Sequence, residues 1–386
     1  MLTYPIYSLS NLNSYFIRLG TIGFGGPVAL VAYMHRDLVV DKKWISEDEF
    51  KEGLALAQLA PGPLAAQLGI YIGYVHYGVL GATLAGFSFI LPSFIMVVLL
   101  GMAYKLYGGL AWMQAVFYGV SAAVVGIILM SLYKLTIKSI SRFTLTGVKQ
   151  HWILWIFYFA AGITTFVTKT ESIFVFLAAG FLYMFMKAPP KWVNQRQVSL
   201  IFLGLGFWHF EPNTLGKIAI FFAKAGAFVF GSGLAIVPFL HTGVVVETGW
   251  LTEQQFVDSI AVAMITPGPV VITVGFIGYL VAGFPGALVA AMATFLPCYL
   301  ITIAAAPYFK RIAQNKSVKA FVEGITAAVI GALAGAVVII AMRTIKDIPT
   351  LLIAVFTMLC LIYIDKIKEP AIIVVAALIG LLVKQL

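Results

Sequence analysis

Trp44-Ile45-Ser46-Glu47, followed by Phe50 and then by Pro61-Gly62-Pro63, recurs as Trp250-Leu251-Thr252-Glu253, Phe256 and Pro267-Gly268-Pro269. Every matched pair, from 44 and 250 onward, is 206 residues apart. Phe24-Gly25 and Phe230-Gly231, and His35 and His241, keep the same offset. One residue is then lost, and Gly73-Tyr74 pairs with Gly278-Tyr279, Gly81 with Gly286, Pro92 with Pro297 and Gly119 with Gly324, now 205 apart. A register held over such a length marks an internal duplication. The two copies are residues 1–190 and 214–386, joined by a linker at 191–213 that carries a short apolar segment, Val198 to Phe210.

Working outward from the motif, Ser46-x-x-Glu49 and Thr252-x-x-Gln255 are capping boxes, each predicting a helix start. Two prolines around a glycine then break that helix, because proline has no N–H and clashes with the preceding turn. Each arm, about 46–60 and 64–77 in the first copy, is roughly 20 Å long at 1.5 Å per residue. The pair is therefore either one broken span or a hairpin that returns to its starting side. In each copy an apolar span with a Gly-rich break precedes it (about 12–34 and 214–240). Four apolar segments follow: about 79–104, 110–133, 152–168 and 172–187, then 285–308, 320–342, 349–364 and 370–384.

The composition agrees. Of 386 residues, 61% are apolar and only 10% are charged, with a mean hydropathy of +1.00. A soluble chain carries about a quarter charged residues, so a soluble enzyme is excluded and the chain reads as an all-α polytopic membrane protein. No polar segment is long enough to build a separate soluble domain. Met1 to Asn13 has no basic n-region, so a cleaved signal peptide is not expected. The net charge of +10 comes from 25 Lys+Arg against 15 Asp+Glu. Most of the basic residues sit in short loops, where they set orientation rather than bind nucleic acid.

That charge chooses between the two hairpin readings. If the first Pro-Gly-Pro pair returns, Arg36, Lys42, Lys43, Lys51, Lys134, Lys138, Arg142, Lys149, Lys187, Lys191 and Arg196 share one side, against Lys105 and Lys169. The cytoplasmic side is then the basic one. Each copy crosses five times on this count, and an odd number inverts the second copy. The expected architecture is two inverted-topology repeats, about ten transmembrane helices plus two Pro-Gly-Pro hairpins, provided Val198 to Phe210 does not cross. Secondary transporters are often built this way, with sites near the midplane at broken helices.

Arg18 and Lys224 occupy the same repeat position inside the first span of each copy. Intramembrane charge is costly and usually faces a cavity or a partner; snorkelling to the interface is the plainer alternative. No Asp or Glu lies at matching depth in those two spans, which makes an anionic ligand a natural partner. Gly25 and Gly26, Gly231 and Ser232, and the Gly62 and Gly268 tips would offer free N–H groups at broken helix ends, unless the small residues serve only close helix packing. Gln58 and Gln67 flank the first break, with Met264 and Thr273 in their places in the second copy. They line a cavity or bond between helices. Glu52 and Asp258 align and are candidates to carry a coupling proton; helix-dipole compensation is the competing role for the acidic residues at the hairpin starts. His35 and His241 read as loop residues, Trp44 and Trp250 as interfacial anchors, and Cys298 and Cys360 as reduced core residues. No zinc-spaced cluster, P-loop or dinucleotide fingerprint is found, so no cofactor or metal and no enzymatic chemistry are expected.

Phe24-Gly25-Gly26-Pro27, Trp44-Ile45-Ser46-Glu47-Asp48-Glu49-Phe50, and Ala57-Gln58-Leu59-Ala60-Pro61-Gly62-Pro63 followed by Gly73-Tyr74 resemble the chromate ion transporter family. The second copy, at 226–286, resembles the same domain. The resemblance implies a two-domain transporter in the plasma membrane that exports chromate from the bacterial cytoplasm, driven by proton motive force. Sulfate, an isosteric dianion, is the alternative substrate, and an anion channel the alternative mechanism. Gly-Ser-Gly at 231–233 departs from Gly-Gly-Pro at 25–27, which makes the site asymmetric. Expected partners are the anion and membrane lipid, with a homodimer allowed and nucleic acid excluded.

Overall fold

The structure, a computed structural model, describes residues 7–24, 26–142, 144–170, 172–190, 213–229, 233–308, 315–364 and 369–385. Gly25, Gly231, Ser232 and most of the linker lie outside the described residues, and so does Val198 to Phe210. Among the described residues every element is helical. In the first copy these are α1 (Leu9–Ile22), α2 (Gly26–Met34), α3 (Glu47–Leu59), α4 (Leu64–Tyr107), α5 (Ala111–Ser139), α6 (Leu145–Gln150), α7 (Trp152–Thr168) and α8 (Ile173–Lys187). In the second they are α9 (Thr214–Ala227), α10 (Val237–His241), α11 (Glu253–Ile265), α12 (Thr273–Ala305), α13 (Lys316–Thr344), α14 (Ile348–Tyr363) and α15 (Glu369–Gln385). Four segments are long and apolar enough to cross a membrane: Leu64–Tyr107, Ala111–Ser139, Val270–Tyr308 and Lys316–Thr344. Several shorter apolar helices accompany them, as expected of a polytopic membrane protein.

Both capping boxes form. The Ser46 and Thr252 hydroxyls accept from the N–H of Glu49 and Gln255, whose side chains accept from the Ser46 and Thr252 N–H groups. Both hairpins return. After Pro-Gly-Pro the chain climbs back along the first arm of α4 and reverses at Tyr77-Gly78, where Gly78 has φ 64° and ψ −153°. The second copy does the same at Ala282-Gly283, with φ 64° and ψ −155° at Gly283. A side chain is strongly disfavoured in that backbone region. The reversal lays Gly73 against Gly81, and Gly278 against Gly286, at backbone contact.

The first segment of each copy differs from the expected span. Residues 9–22 and 26–34 run antiparallel: Tyr7 stacks on Trp44 at 4.5 Å between ring centroids, and a Cβ at Gly23 would strike Leu30. In the second copy Phe221 stacks on Phe239 at 5.6 Å and lies 6.0 Å from Trp250. The Gly-rich break is thus a reversal, and Gly26, at φ 72°, is part of it. Each copy therefore contributes two hairpins before its long helices begin.

The copies meet through α4 and α12, which run antiparallel: Thr83 hydrogen-bonds Tyr299 at 2.7 Å, Phe94 lies beside Phe284, and Gly101 and Lys105 lie beside Tyr279. Reversals Tyr77-Gly78 and Ala282-Gly283 consequently sit at opposite ends of the bundle.

Candidate functional site

The two Pro-Gly-Pro tips lie at the centre of the bundle and are held by reciprocal bonds. The Gly62 N–H donates to the Val229 carbonyl at 2.5 Å, and the Gly268 N–H donates to the Gly23 carbonyl at 2.8 Å. Val229 and Gly23 are the same repeat position, at the reversal of the opposite copy. Gly62 also lies against Cys298, and Gly268 against Ser93, again a repeat-equivalent pair. Both tip amides are therefore occupied, contrary to the expectation that Gly62 and Gly268 present free N–H groups. Gln67 is fully buried; its amide N–H donates to the Pro61 carbonyl at 2.7 Å, while its Oε1 has no partner among the described residues. Thr273, at the same repeat position, is buried too, with its hydroxyl 3.4 Å from the Ser259 carbonyl.

Beside the tips lies a cavity of about 510 Å³ lined by both copies. Gly23, Gly26 and Gln58 come from the first copy's hairpins, and Met264, Thr266 and Gly268 from the second's. One stripe of α5 supplies Ile127, Ser131, Lys134 and Lys138, spaced at helical repeats, and Thr326 and Glu369 complete the wall. Gln58, Gly26 and Gly268 are thus brought together as the sequence suggested. The cations are different ones. Lys134 and Lys138 read in the sequence as loop charges; their position on the last turns of a 29-residue helix brings them into the cavity.

Arg18 and Lys224 are not brought together in either cavity described here. Arg18 lines a separate groove of about 750 Å³ between α1 and residues 33–44, shared with Arg36, Lys42, Asp37 and Asp41. The reversal at 23–26 carries those carboxylates alongside it, which adjacency in the sequence did not reveal. Lys224 lies with Lys217 and Ile220 on the exposed stripe of α9.

Asp258 is the most deeply buried carboxylate among the described residues, at 2% exposure. The Tyr104 hydroxyl donates to its Oδ2 at 2.7 Å; the Gln254 amide and the Ser121 hydroxyl donate to Oδ1 at 2.8 and 3.3 Å. All three donors are neutral, and no described cation forms an ion pair with it. Glu52, its repeat equivalent, is only half-buried and lies beside Tyr71. At the hairpin bases His35 pairs with Glu47, and His241 with Glu253, each at 2.8 Å. His35 and then Lys51 hold the Glu47 carboxyl below its usual range. No group of three described His, Cys, Asp or Glu residues is placed to hold a metal ion.

A family model described as chromate transporter matches residues 10–184 and again 216–381. The chain is 58% identical over 385 residues to the chromate transport protein of Cupriavidus metallidurans, covering 98% of this chain and 94% of that one. It is 54% identical over 388 residues to the probable chromate transport protein of Synechococcus elongatus, covering 98% and 96%. With the chromate transport protein of Pseudomonas aeruginosa it shares 28% identity over 393 residues, covering 97% and 91%. No solved structure matches. The match of both copies to one model, and the near full-length identity to these relatives, place the chain in the chromate transporter family.

Proposed function

We propose that the chain is a secondary transporter that exports chromate from the cytoplasm at the expense of the proton motive force, through two copies of inverted topology. The cavity beside the Pro-Gly-Pro tips carries this reading. It is walled by broken elements of both copies, the arrangement in which alternating-access transporters place their sites. Its two ammonium groups outnumber the one carboxylate on the wall, Glu369, and with the Ser131, Thr266 and Thr326 hydroxyls and the Gln58 amide they supply the charge and donors that a tetrahedral dianion needs. It lies at the end of α5 that leads into Arg142 and Lys149, the basic and hence cytoplasmic face. Sulfate has the same shape and charge and is the competing substrate. The buried, neutrally solvated Asp258 favours a coupled carrier over a channel, since a channel needs no protonatable group.

In this topology each copy has two re-entrant hairpins and four crossing helices, eight crossings among the described residues in place of ten, with Lys187 and Asn213 at opposite faces. Residues 144–151 and 315–316 are cytoplasmic, and the loop at 241–252 is external. Single cysteines at 146 and 248 should label with an impermeant thiol reagent from opposite sides of the membrane. Labelling from the same side would sink the inversion.

Uptake of labelled chromate into everted vesicles, with and without an inside-acid pH gradient and with sulfate as competitor, tests the transport itself. The gradient should stimulate uptake. Lys134→Met or Lys138→Met should each raise the half-saturating chromate concentration about 10- to 100-fold, because a lost charged hydrogen bond in such a site is worth roughly 1.5–3 kcal/mol. Lys224→Met keeps its apolar stem and lies off the cavity, so it should stay within about threefold of the parent. The reverse ranking would return the anion to Lys224.

A further inference from the structure

The two copies differ in what braces the base of the Pro-Gly-Pro hairpin. Glu47 and Glu253, at the same repeat position, each hold a histidine at 2.8 Å. Their other oxygen does not have the same partner. Glu47 Oε1 meets Lys51 of its own helix at 3.3 Å, an exposed pair one turn apart. Lys51 corresponds to Val257, which is buried, so Glu253 has no such neighbour. Its Oε1 instead meets Arg343, at the end of α13.

Helices α5 and α13 correspond end to end, Ala111–Ser139 to Lys316–Thr344, 205 residues apart (111 to 316). Arg343 therefore corresponds to Lys138. In the second copy the basic residue closes on the hairpin's glutamate, and α13 packs against α10 and α11. In the first copy Lys138 makes no ion pair with a described carboxylate, and α5 packs chiefly against α13, α14, α15 and α11 rather than against α2 or α3. The cavity lies along that parted face, with Lys138 on its wall. One end of the molecule is latched and the other is open, and the difference is one ion pair at equivalent positions.

We propose that Lys138–Glu47 and Arg343–Glu253 are the two gates of the transporter and form alternately. Glu47, Glu253 and Arg343 act as positioning residues, and Lys138 takes that part in addition to facing the anion cavity. With Arg343 on Glu253 the external face is shut and the cavity opens to the cytoplasm. With Lys138 on Glu47 the end of α5 is drawn to the base of α3, the cytoplasmic face shuts, and Arg343 is released. Partly exposed ion pairs are weak, and exchanging one for another of the same kind keeps the two states close in energy. A carrier that visits both needs that balance. The inference rests on the inverted-repeat transporter reading above but not on which anion is carried.

The test reads accessibility in the absence of any transported oxyanion. Cys298 and Cys360, both buried, are replaced by Ala, and Leu135→Cys on the cavity wall reports through its rate of labelling by an impermeant maleimide added to everted vesicles. Arg343→Gln releases the external gate and should slow labelling about 3- to 10-fold. Adding Lys138→Gln or Glu47→Gln to it removes the cytoplasmic gate as well and should return the rate to near the parent's; a misfolded protein would not be restored. Arg343→Lys should label like the parent. An unchanged rate in Arg343→Gln, or no recovery in the double variants, overturns the gates. If the rates follow this pattern while no chromate is taken up, the gates stand and the substrate reading fails. Chromate uptake with unaltered labelling fails the gates alone.

Discussion

Gly268→Ala should reduce chromate transport to under a tenth of the parent's and lower the thermal stability of the detergent-solubilised protein, with Gly62→Ala close behind. At these two tips the backbone is in the left-handed half of conformational space, with φ 95° at Gly268 and 143° at Gly62. A side chain there costs roughly 1–2 kcal/mol before it touches anything. The new Cβ would also point into the opposite copy, onto the Ser93 side chain from Gly268 and onto Cys298 from Gly62. Overpacking of that kind costs about 1–3 kcal/mol more. Relief by backbone movement would break the Gly268 N–H bond to Gly23 or the Gly62 N–H bond to Val229, which tie the copies together. The steric share of the loss is separable. Ser93→Gly removes the atoms that the Gly268→Ala methyl meets, at about 1 kcal/mol for a glycine within a helix, so the double variant should regain part of the stability and transport. If Gly268→Ala behaves like the parent, the tips do not meet as described.

The capped helix starts and the returning Pro-Gly-Pro hairpins were legible in the sequence, because each rests on local chemistry: a hydroxyl followed three residues on by Glu or Gln, or a proline where a helix cannot continue. The 12–34 segment was misread for a physical reason. A Gly-rich stretch permits a kink and a reversal equally, and a stretch of that length has the length of a span. The sign against a span was there in Asn11, Ser14 and Arg18, a polar stripe that would otherwise have faced lipid; the reversal sets it opposite Asp37 and Asp41. The site was half legible. Gln58, Gly26 and Gly268 border the cavity because the breaks that mark them also create it. Lys134 and Lys138 were hidden by proximity to a helix end, where a basic residue is ordinarily an orientation signal. The amides of Gly62 and Gly268 looked free because a partner in the other copy, more than 150 residues away, cannot be read from the tip's own sequence.

Asp258→Asn should uncouple transport from protons while leaving the anion site intact. The carboxylate is 2% exposed and lies part-way along a hairpin arm that enters the membrane, among Tyr104, Gln254 and Ser121. Three neutral donors stabilise a charge less than a cation would, and a charge so placed is costly when nothing offsets it. Protonation removes that cost but rearranges the hydrogen bonds: the neutral acid carries a donor of its own, so one of the three present donors must turn away. Gln254 already bonds the Ser121 hydroxyl at 3.1 Å as well, and Ser121 belongs to α5, the helix that carries Lys134 and Lys138 to the cavity. On the proposed reading, a proton on Asp258 is thereby linked mechanically to the helix that lines the anion cavity. Asn copies the size of the protonated acid and fixes the group as neutral. In everted vesicles the stimulation of chromate uptake by an inside-acid gradient should vanish, and chromate addition should no longer move protons, as read by a pH-sensitive dye. Exchange of labelled for unlabelled chromate should persist within about threefold of the parent. Glu52→Gln, at the half-buried equivalent position, should keep most of the stimulation, because water there already offsets the charge. Stimulation that survives in Asp258→Asn and disappears in Glu52→Gln would move the proton to the other hairpin; survival in both would remove carboxylate coupling from the mechanism.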